Sequence, residues 1–270
     1  MPRMPEKLRL LLASLANMTA VITLAVGIRV LCELIFHRWP AELVMAAALV
    51  PLYFGGARWI ERRDPVELRL ADSGRGFAGG IALGAALFTC LMTILWLAGV
   101  YQPSGWDSGP PLVAAFLFVI AGAVVEEVIF RGFLFRLAAG LGGNWTALAV
   151  TSAIFGLAHI GNHGATLLSS AAIALEAGIL LGAAYAASGS LWLPIGLHAG
   201  WNFTEGPVFG MAVSGNTQRA AWVRGELHGP ELLTGGAFGP EASIAAVLVC
   251  LAAAAVCLRK MVILHPSRFS

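Results

Sequence analysis

At 270 residues, with 58% of them hydrophobic, only 12% charged and a mean hydropathy of +0.80, the chain lies far from the soluble norm of about one quarter charged residues. It reads as an all-α polytopic membrane protein, one integral membrane domain over residues 1–270, with the lipid bilayer as its first partner. The small net charge of +2 and the lack of a basic stretch interleaved with aromatics exclude a nucleic-acid partner.

In chain order, apolar runs of near-spanning length cover 8–36, 41–56, 77–100, 111–139, 144–160, 165–188, 191–213 and 242–264. The expected architecture is an eight-helix bundle. The second and fifth runs are short, which makes seven the alternative count. The first run is too long for the roughly 7 to 15 apolar residues of a signal peptide and reads as a retained span. With the N-terminus inside, thirteen Lys and Arg fall on the cytoplasmic side (Arg3, Lys7, Arg9, Arg58, Arg62, Arg63, Arg69, Arg75, Arg131, Arg136, Arg259, Lys260 and Arg268). Only Arg38, Arg219 and Arg224 fall outside, and Arg29 lies within a span. This bias places both termini in the cytoplasm and makes 214–241 the large external loop, Gly-rich and without a periodic helix. Pro240 and Glu241 sit where the last helix is expected to start. Cys32, Cys90, Cys250 and Cys257 all fall in apolar runs without a CxxC pair and read as buried small hydrophobes.

Ionisable residues at membrane depth cost about 2.5 to 3.5 kcal/mol at a helix centre and call for a partner or a function. Arg29 and Glu33, four apart, read as an intrahelical pair. Glu176 stands alone in the sixth run, open to a structural or a supporting role. The stretch VVEEVIFRGFLF, 124–135, is the densest. A helix turns about 100° per residue, so Glu126 and Glu127 cannot face the same way. Glu127 is one turn before Arg131 and reads as its ion-pair partner. Glu126 keeps no partner on its own helix, and its face carries Gly122, Phe130 and Phe133.

Downstream, SAIFGLAHI places His159 one turn after Phe155, and SLWLPIGLHAGWNF places His198 and Asn202 on one face. A lone histidine on an apolar face is ordinarily a satisfied core residue. Two of them with an orphan glutamate and an asparagine on near-successive spans point to a site. Gly196 and Gly200 flank His198 and allow another helix close to it, as small-xxx-small pairs do. Glu205 shares the His198 face nearer the external end, and His163 with Asn162 reads as turn chemistry. A carboxylate, two imidazoles and an amide can activate water and stabilise an oxyanion. The same donors, Glu126, His159 and His198, could instead hold zinc with an open position.

EEVIFR, FGLAH and HAGWN, in that order on separate spans, resemble the EExxxR, FxxxH and HxxxN motifs of the CAAX proteases and bacteriocin-processing enzymes. These are intramembrane endopeptidases that include the type II CAAX prenyl endopeptidase. The resemblance places the catalytic core at 111–202 and implies a polar intramembrane cavity open to the cytoplasm. It also implies Glu126 as the base that activates water, His159 as its helper, His198 and Asn202 as oxyanion donors, and Glu127 with Arg131 as supporting or substrate-orienting residues. On this reading no cofactor is needed, zinc being the variant. The partner is a peptide or protein substrate, lipidated or not, and the setting is a bacterial plasma membrane. The rival expectations are a proton- or metal-coupled transporter and a non-catalytic immunity or scaffold protein.

Overall fold

A computed structural model describes residues 6–36, 41–218 and 220–264. Arg3, Arg38, Arg219 and Arg268, counted above for orientation, lie outside the described residues, as does the side chain of Lys7. Helices α1 (Glu6–Phe36), α2 (Ala41–Trp59) and α3 (Ser73–Leu97) come first, followed by strand β1 (Tyr101–Trp106). Next comes α4 (Leu112–Glu127), which passes without interruption through a π turn, Val128–Phe135, into α5 (Arg136–Ala158). Helix α6 (Leu167–Ile173) and α7 (Ile179–Ser188) are joined by a π turn at Ala174–Gly178, and α8 (Trp192–Phe203) runs into a third at Thr204–Val208. Strand β2 (Val223–Leu227), the short α9 (Glu231–Thr234) and α10 (Ile244–Leu264) complete the chain.

Among the described residues six helices are long and apolar enough to cross a membrane, the longest spanning Leu112–Ala158 with 47 residues. That helix is broken at Gly143, whose φ of 80° and ψ of 177° only glycine adopts cheaply. The break falls between the fourth and fifth expected runs, 111–139 and 144–160. The α8 rod with its π turn is shorter than the others. Leu34, Leu97, Leu112 and Val113 stand exposed on the helices, as side chains facing lipid would.

The bundle closes most tightly where α3 meets α8. A Cβ at Gly80 would collide with the Leu193 carbonyl oxygen and one at Gly84 with that of Leu197. In return, a Cβ at Gly196 would strike the Phe77 carbonyl and one at Gly200 that of Ile81. The four glycines let the two backbones touch, which is what small-xxx-small spacing provides where lipid offers no hydrophobic drive. The helix expected to approach His198 is therefore α3. Phe88, Leu91 and Leu95 of α3 pack on Leu197 and Trp201 of α8 in the central core, with Phe88 edge-on to Trp201 at 5.0 Å.

The segment 214–241 is more ordered than its composition suggests. β1 and β2 pair antiparallel, Tyr101 opposite Leu227, with an irregularity between Pro103 and Gly105. The pairing joins segments far apart in sequence, so no local pattern announces it. The last helix starts at Ile244, later than Pro240 and Glu241 suggested, with the Ser243 hydroxyl accepting the Ala246 N–H at 3.2 Å. At the other end of the bundle Tyr53 donates to the Gly132 carbonyl at 3.0 Å and also to Glu67. Arg136 bonds Glu61 at 2.9 Å and Asn17 bonds the same carboxylate at 2.6 Å. In this connecting segment, burial pushes the Glu61 carboxyl up, but the hydrogen bonds from Asn17 and Arg63 and the nearby Arg136 outweigh it. Its pKa is held below the usual carboxylate range.

Gly84→Val should prise α3 from α8. Overpacking costs about 1–3 kcal/mol or more, so thermal unfolding in detergent should show a clear loss of stability, whereas Gly79→Ala, where a Cβ meets nothing within 4 Å, should leave the melt unchanged.

Candidate active site

Two charged side chains at the end of α4 and the start of its π turn are wholly removed from solvent. Glu127 and Arg131 are each 0% exposed, and Arg131 Nη1 donates to Glu127 Oε1 at 2.9 Å. This is the i, i+4 pair the sequence pointed to. Burying such a pair costs desolvation that only good geometry and further hydrogen bonds repay. Arg131 finds them on the neighbouring π turn, where its Nη2 donates to the carbonyls of Gly178 at 3.2 Å and Ala177 at 3.3 Å. Its guanidinium also lies over the Phe155 ring, 4.8 Å from the centroid, a cation–π arrangement.

The pair has a third member that the helical-wheel argument did not find. His198 Nδ1 lies 3.0 Å from Glu127 Oε1. A carboxylate accepts, so Nδ1 carries the hydrogen and Nε2 is turned away from Glu127. Nε2 is 4.0 Å from Glu126 Oε2. Arg131 thus holds Glu127, Glu127 holds His198, and His198 presents its other nitrogen to Glu126. The signal in the sequence was the i, i+4 spacing of Glu127 and Arg131: a carboxylate held by an arginine still has a lone pair for a donor on a neighbouring helix.

Glu126 is not in the apolar surroundings its own helix suggested. Its side chain is 36% exposed, and Oε2 has no hydrogen-bond partner. Phe130 has turned to stack edge-on with Phe155 at 4.8 Å, and Phe133 packs against Tyr53 at 4.8 Å. The wider π turn that begins at Val128 breaks the simple wheel on which Glu126, Phe130 and Phe133 shared a face.

His159 follows the last residue of α5. Its Nδ1 is 2.7 Å from the Phe155 carbonyl, which can only accept, so the neutral ring keeps its lone pair on Nε2. His159, His198 and Asn202 line one small cavity of about 30 Å³. Its other walls include Phe155, Trp201, Glu176, Ser214 and Glu241. Glu126 stands beside it through His198.

Ser214 and Glu241 bring the 209–243 segment into the wall. The cavity therefore lies at the side of the bundle where Ser214 and Glu241 pack. Asn162 fastens the same region by donating to the Ser214 carbonyl at 3.0 Å. Glu241, expected as a charge at a helix start, is instead 3% exposed and accepts the Ser214 N–H at 2.6 Å. Burial pushes the Glu241 carboxyl above its usual range, against the lowering effect of Glu205, Ser214 and His159. Glu205 is fully buried and accepts from Trp201 Nε1 at 3.1 Å. Glu176 is also buried, with the Cys250 thiol 3.7 Å from its Oε1.

Glu126, His159 and His198 are the residues a zinc ion would use. Among the described residues no group of three His, Cys, Asp or Glu side chains is placed to hold a metal ion.

Removing the buried cation tests the assembly. Arg131→Leu leaves Glu127 buried and uncompensated and should cost about 3–5 kcal/mol in unfolding, while Glu127→Leu with Arg131→Leu should recover much of it. Thermal melts of the purified single and double variants read the difference.

Residues 108–204 match the family model for Type II CAAX prenyl endopeptidase Rce1-like proteins, a span that holds Glu126, Glu127, Arg131, His159, His198 and Asn202. No curated protein matches the chain, and no solved structure matches it. Over this segment, which carries the buried Glu127, Arg131 and His198, the chain is similar to the Rce1-like type II CAAX prenyl endopeptidases, a peptidase family consistent with the CAAX proteases and bacteriocin-processing enzymes its motifs resemble.

Proposed function

We propose that the protein is an intramembrane endopeptidase in which Glu126 activates water for attack on a peptide bond. The observation that carries this reading is the 4.0 Å separation between Glu126 Oε2, which has no hydrogen-bond partner, and His198 Nε2. That gap is too long for a hydrogen bond and fits one oxygen atom at about 2.8 Å from each.

In the proposed mechanism, Glu126 takes a proton from water as the oxygen bonds to the scissile carbonyl carbon. His159 positions that water by accepting from it at Nε2. The carbonyl oxygen becomes an oxyanion and receives hydrogen bonds from the Asn202 amide and from doubly protonated His198 at Nε2. Glu126 then passes its proton to the leaving nitrogen as the C–N bond breaks. Glu127 and Arg131 act at one remove, holding His198 so that Nε2 is the nitrogen presented. No step needs a metal.

The same reading takes the bundle as eight spans, both termini as cytoplasmic and the bacterial plasma membrane as the setting. Its substrate is a peptide or protein, lipidated or not, in C-terminal processing of the CAAX type or in maturation of a bacterial peptide. The cytoplasmic opening implied by the resemblance and the charge-based orientation pull in opposite directions, because Ser214 and Glu241 wall the cavity. A cavity reached from the loop side or laterally from the bilayer reconciles them.

Glu126→Gln should abolish cleavage of a peptide library in detergent while leaving the thermal melt intact. Asn202→Ala should cost about 10²–10³ in kcat, as loss of one oxyanion donor does. A chelator should leave the rate unchanged. Loss on chelation would reinstate zinc, full activity of Glu126→Gln would overturn the mechanism, and ion flux in proteoliposomes without any proteolysis would favour a transporter.

A further inference from the structure

The turn that ends α2 places an arginine where backbone geometry favours glycine. The Arg63 N–H bonds the Ala57 carbonyl at 3.0 Å and closes the helix end in a six-residue loop of the Schellman kind. Arg62 takes the left-handed position of that loop, with φ of 57°. Glycine adopts this conformation freely and arginine only at a cost, and such outliers gather where a side chain serves a function.

Arg62 is also exposed, as is Arg69 a few residues on, and neither side chain makes a hydrogen bond or ion pair among the described residues. Their neighbours are committed. Arg63 pairs with Glu61 and Glu67, and Arg58 with Asp64. Arg58, Arg62 and Arg63 line a basic pocket of about 400 Å³ whose one acidic residue is that same Asp64.

The pocket adjoins an apolar groove of about 610 Å³, the two sharing Arg58 and Trp59. Val50, Phe54, Leu68, Leu70 and Trp192 are among its other walls. Arg69 stands between Leu68 and Leu70, and its carbonyl accepts Trp192 Nε1 at 3.1 Å, which brings it to the groove's edge. Trp59 and Leu70 are 83% and 79% exposed. The groove therefore follows α2, one of the helices apolar enough to cross a membrane, from its charged end at Arg58 back to Val50, about 12 Å at 1.5 Å per residue.

A cationic end, a pair of tryptophans and an apolar trough call for a ligand with an anionic head and a long apolar tail. Free phosphate would leave the trough empty, and an uncharged chain would leave both guanidinium groups unpaired. A zwitterionic headgroup carries its own cation toward two more. We propose that the pocket and groove together bind one anionic phospholipid, its head held by Arg62 and Arg69 and one acyl chain lying between Phe54 and Leu70. The site does not rest on the endopeptidase reading. Arg63, in the same pocket, donates to Glu67 and Tyr53, and Tyr53 holds the Gly132 carbonyl of the π turn after Glu127. A lipid bound here braces that turn and registers as thermal stability.

The full chain, stripped of lipid in a non-ionic detergent, is melted against dioleoylphosphatidylglycerol and dioleoylphosphatidylcholine, while native mass spectrometry counts retained lipid. A saturable rise in Tm with one phosphatidylglycerol retained is expected, and no such rise with phosphatidylcholine. Arg62→Gly relieves the left-handed strain, so its lipid-free Tm should match or exceed wild type. Its affinity for phosphatidylglycerol should fall about fivefold, and about 25-fold when Arg69→Gln is added, at about fivefold per arginine near an anionic headgroup. Equal rises with the two lipids, or an affinity unchanged in the double variant, would overturn the proposal. So would an Arg62→Gly protein that melts lower without lipid, because the arginine would then serve the fold alone. A rise with farnesol that phosphatidylglycerol fails to produce would overturn it in favour of an isoprenoid chain, and a lipid-free dimer that Leu70→Asn breaks would overturn it in favour of a second copy.

Discussion

An arginine and a glutamate buried to zero exposure inside an apolar helix bundle are the constraint around which the rest of this molecule is arranged. Left with one partner each, they would cost more in desolvation than their attraction returns. The fold answers by surrounding them. Carbonyls from a π turn on one neighbouring helix accept from Arg131, an aromatic ring on another lies under its guanidinium, and His198 on a third donates to Glu127. Because these contacts fix the Glu127 carboxylate in one place, the orientation of the His198 ring follows from it. The side of the imidazole that faces Glu126 is thereby a consequence of where Arg131 sits.

That geometry needs helices closer together and wider in turn than ordinary packing provides. The four glycines between α3 and α8 let α8 press against its neighbour at the level of His198. The three π turns do the complementary job. One begins directly after Glu127, one contains Glu176 and one contains Glu205. A π turn shifts the register of everything after it and loosens the local hydrogen-bond ladder, which is why such turns gather at functional sites. Here they aim carboxyl groups inward and present the Ala177 and Gly178 carbonyls to Arg131.

Much of this was legible from residues alone, and the reason is periodicity. Apolar runs located the helices, and the break at Gly143 falls between two of them. The i, i+4 rule located the Glu127–Arg131 pair, and the flanking glycines marked the close approach at His198. What stayed hidden depends on contacts between distant segments. The β1–β2 pairing joins residues more than a hundred positions apart, and the Glu127–His198 bond crosses from α4 to α8. The surroundings of Glu126 were misjudged because a regular wheel assumes 3.6 residues per turn, and the chain leaves that period at Val128. Glu241 looked like a helix-start charge because nothing local shows that its turn folds inward onto Glu205.

The central claim is that Glu127 acts through His198 and not on its own. A double-mutant cycle with Glu127→Gln and His198→Gln, read in kcat/KM with thermal melts as the control for folding, tests it most directly. The account predicts strong coupling, with the double variant no slower than the slower single variant and an interaction energy of about 1 kcal/mol or more. Effects that simply add, with both single variants folded, would contradict it and make the buried Glu127–Arg131 pair architecture alone.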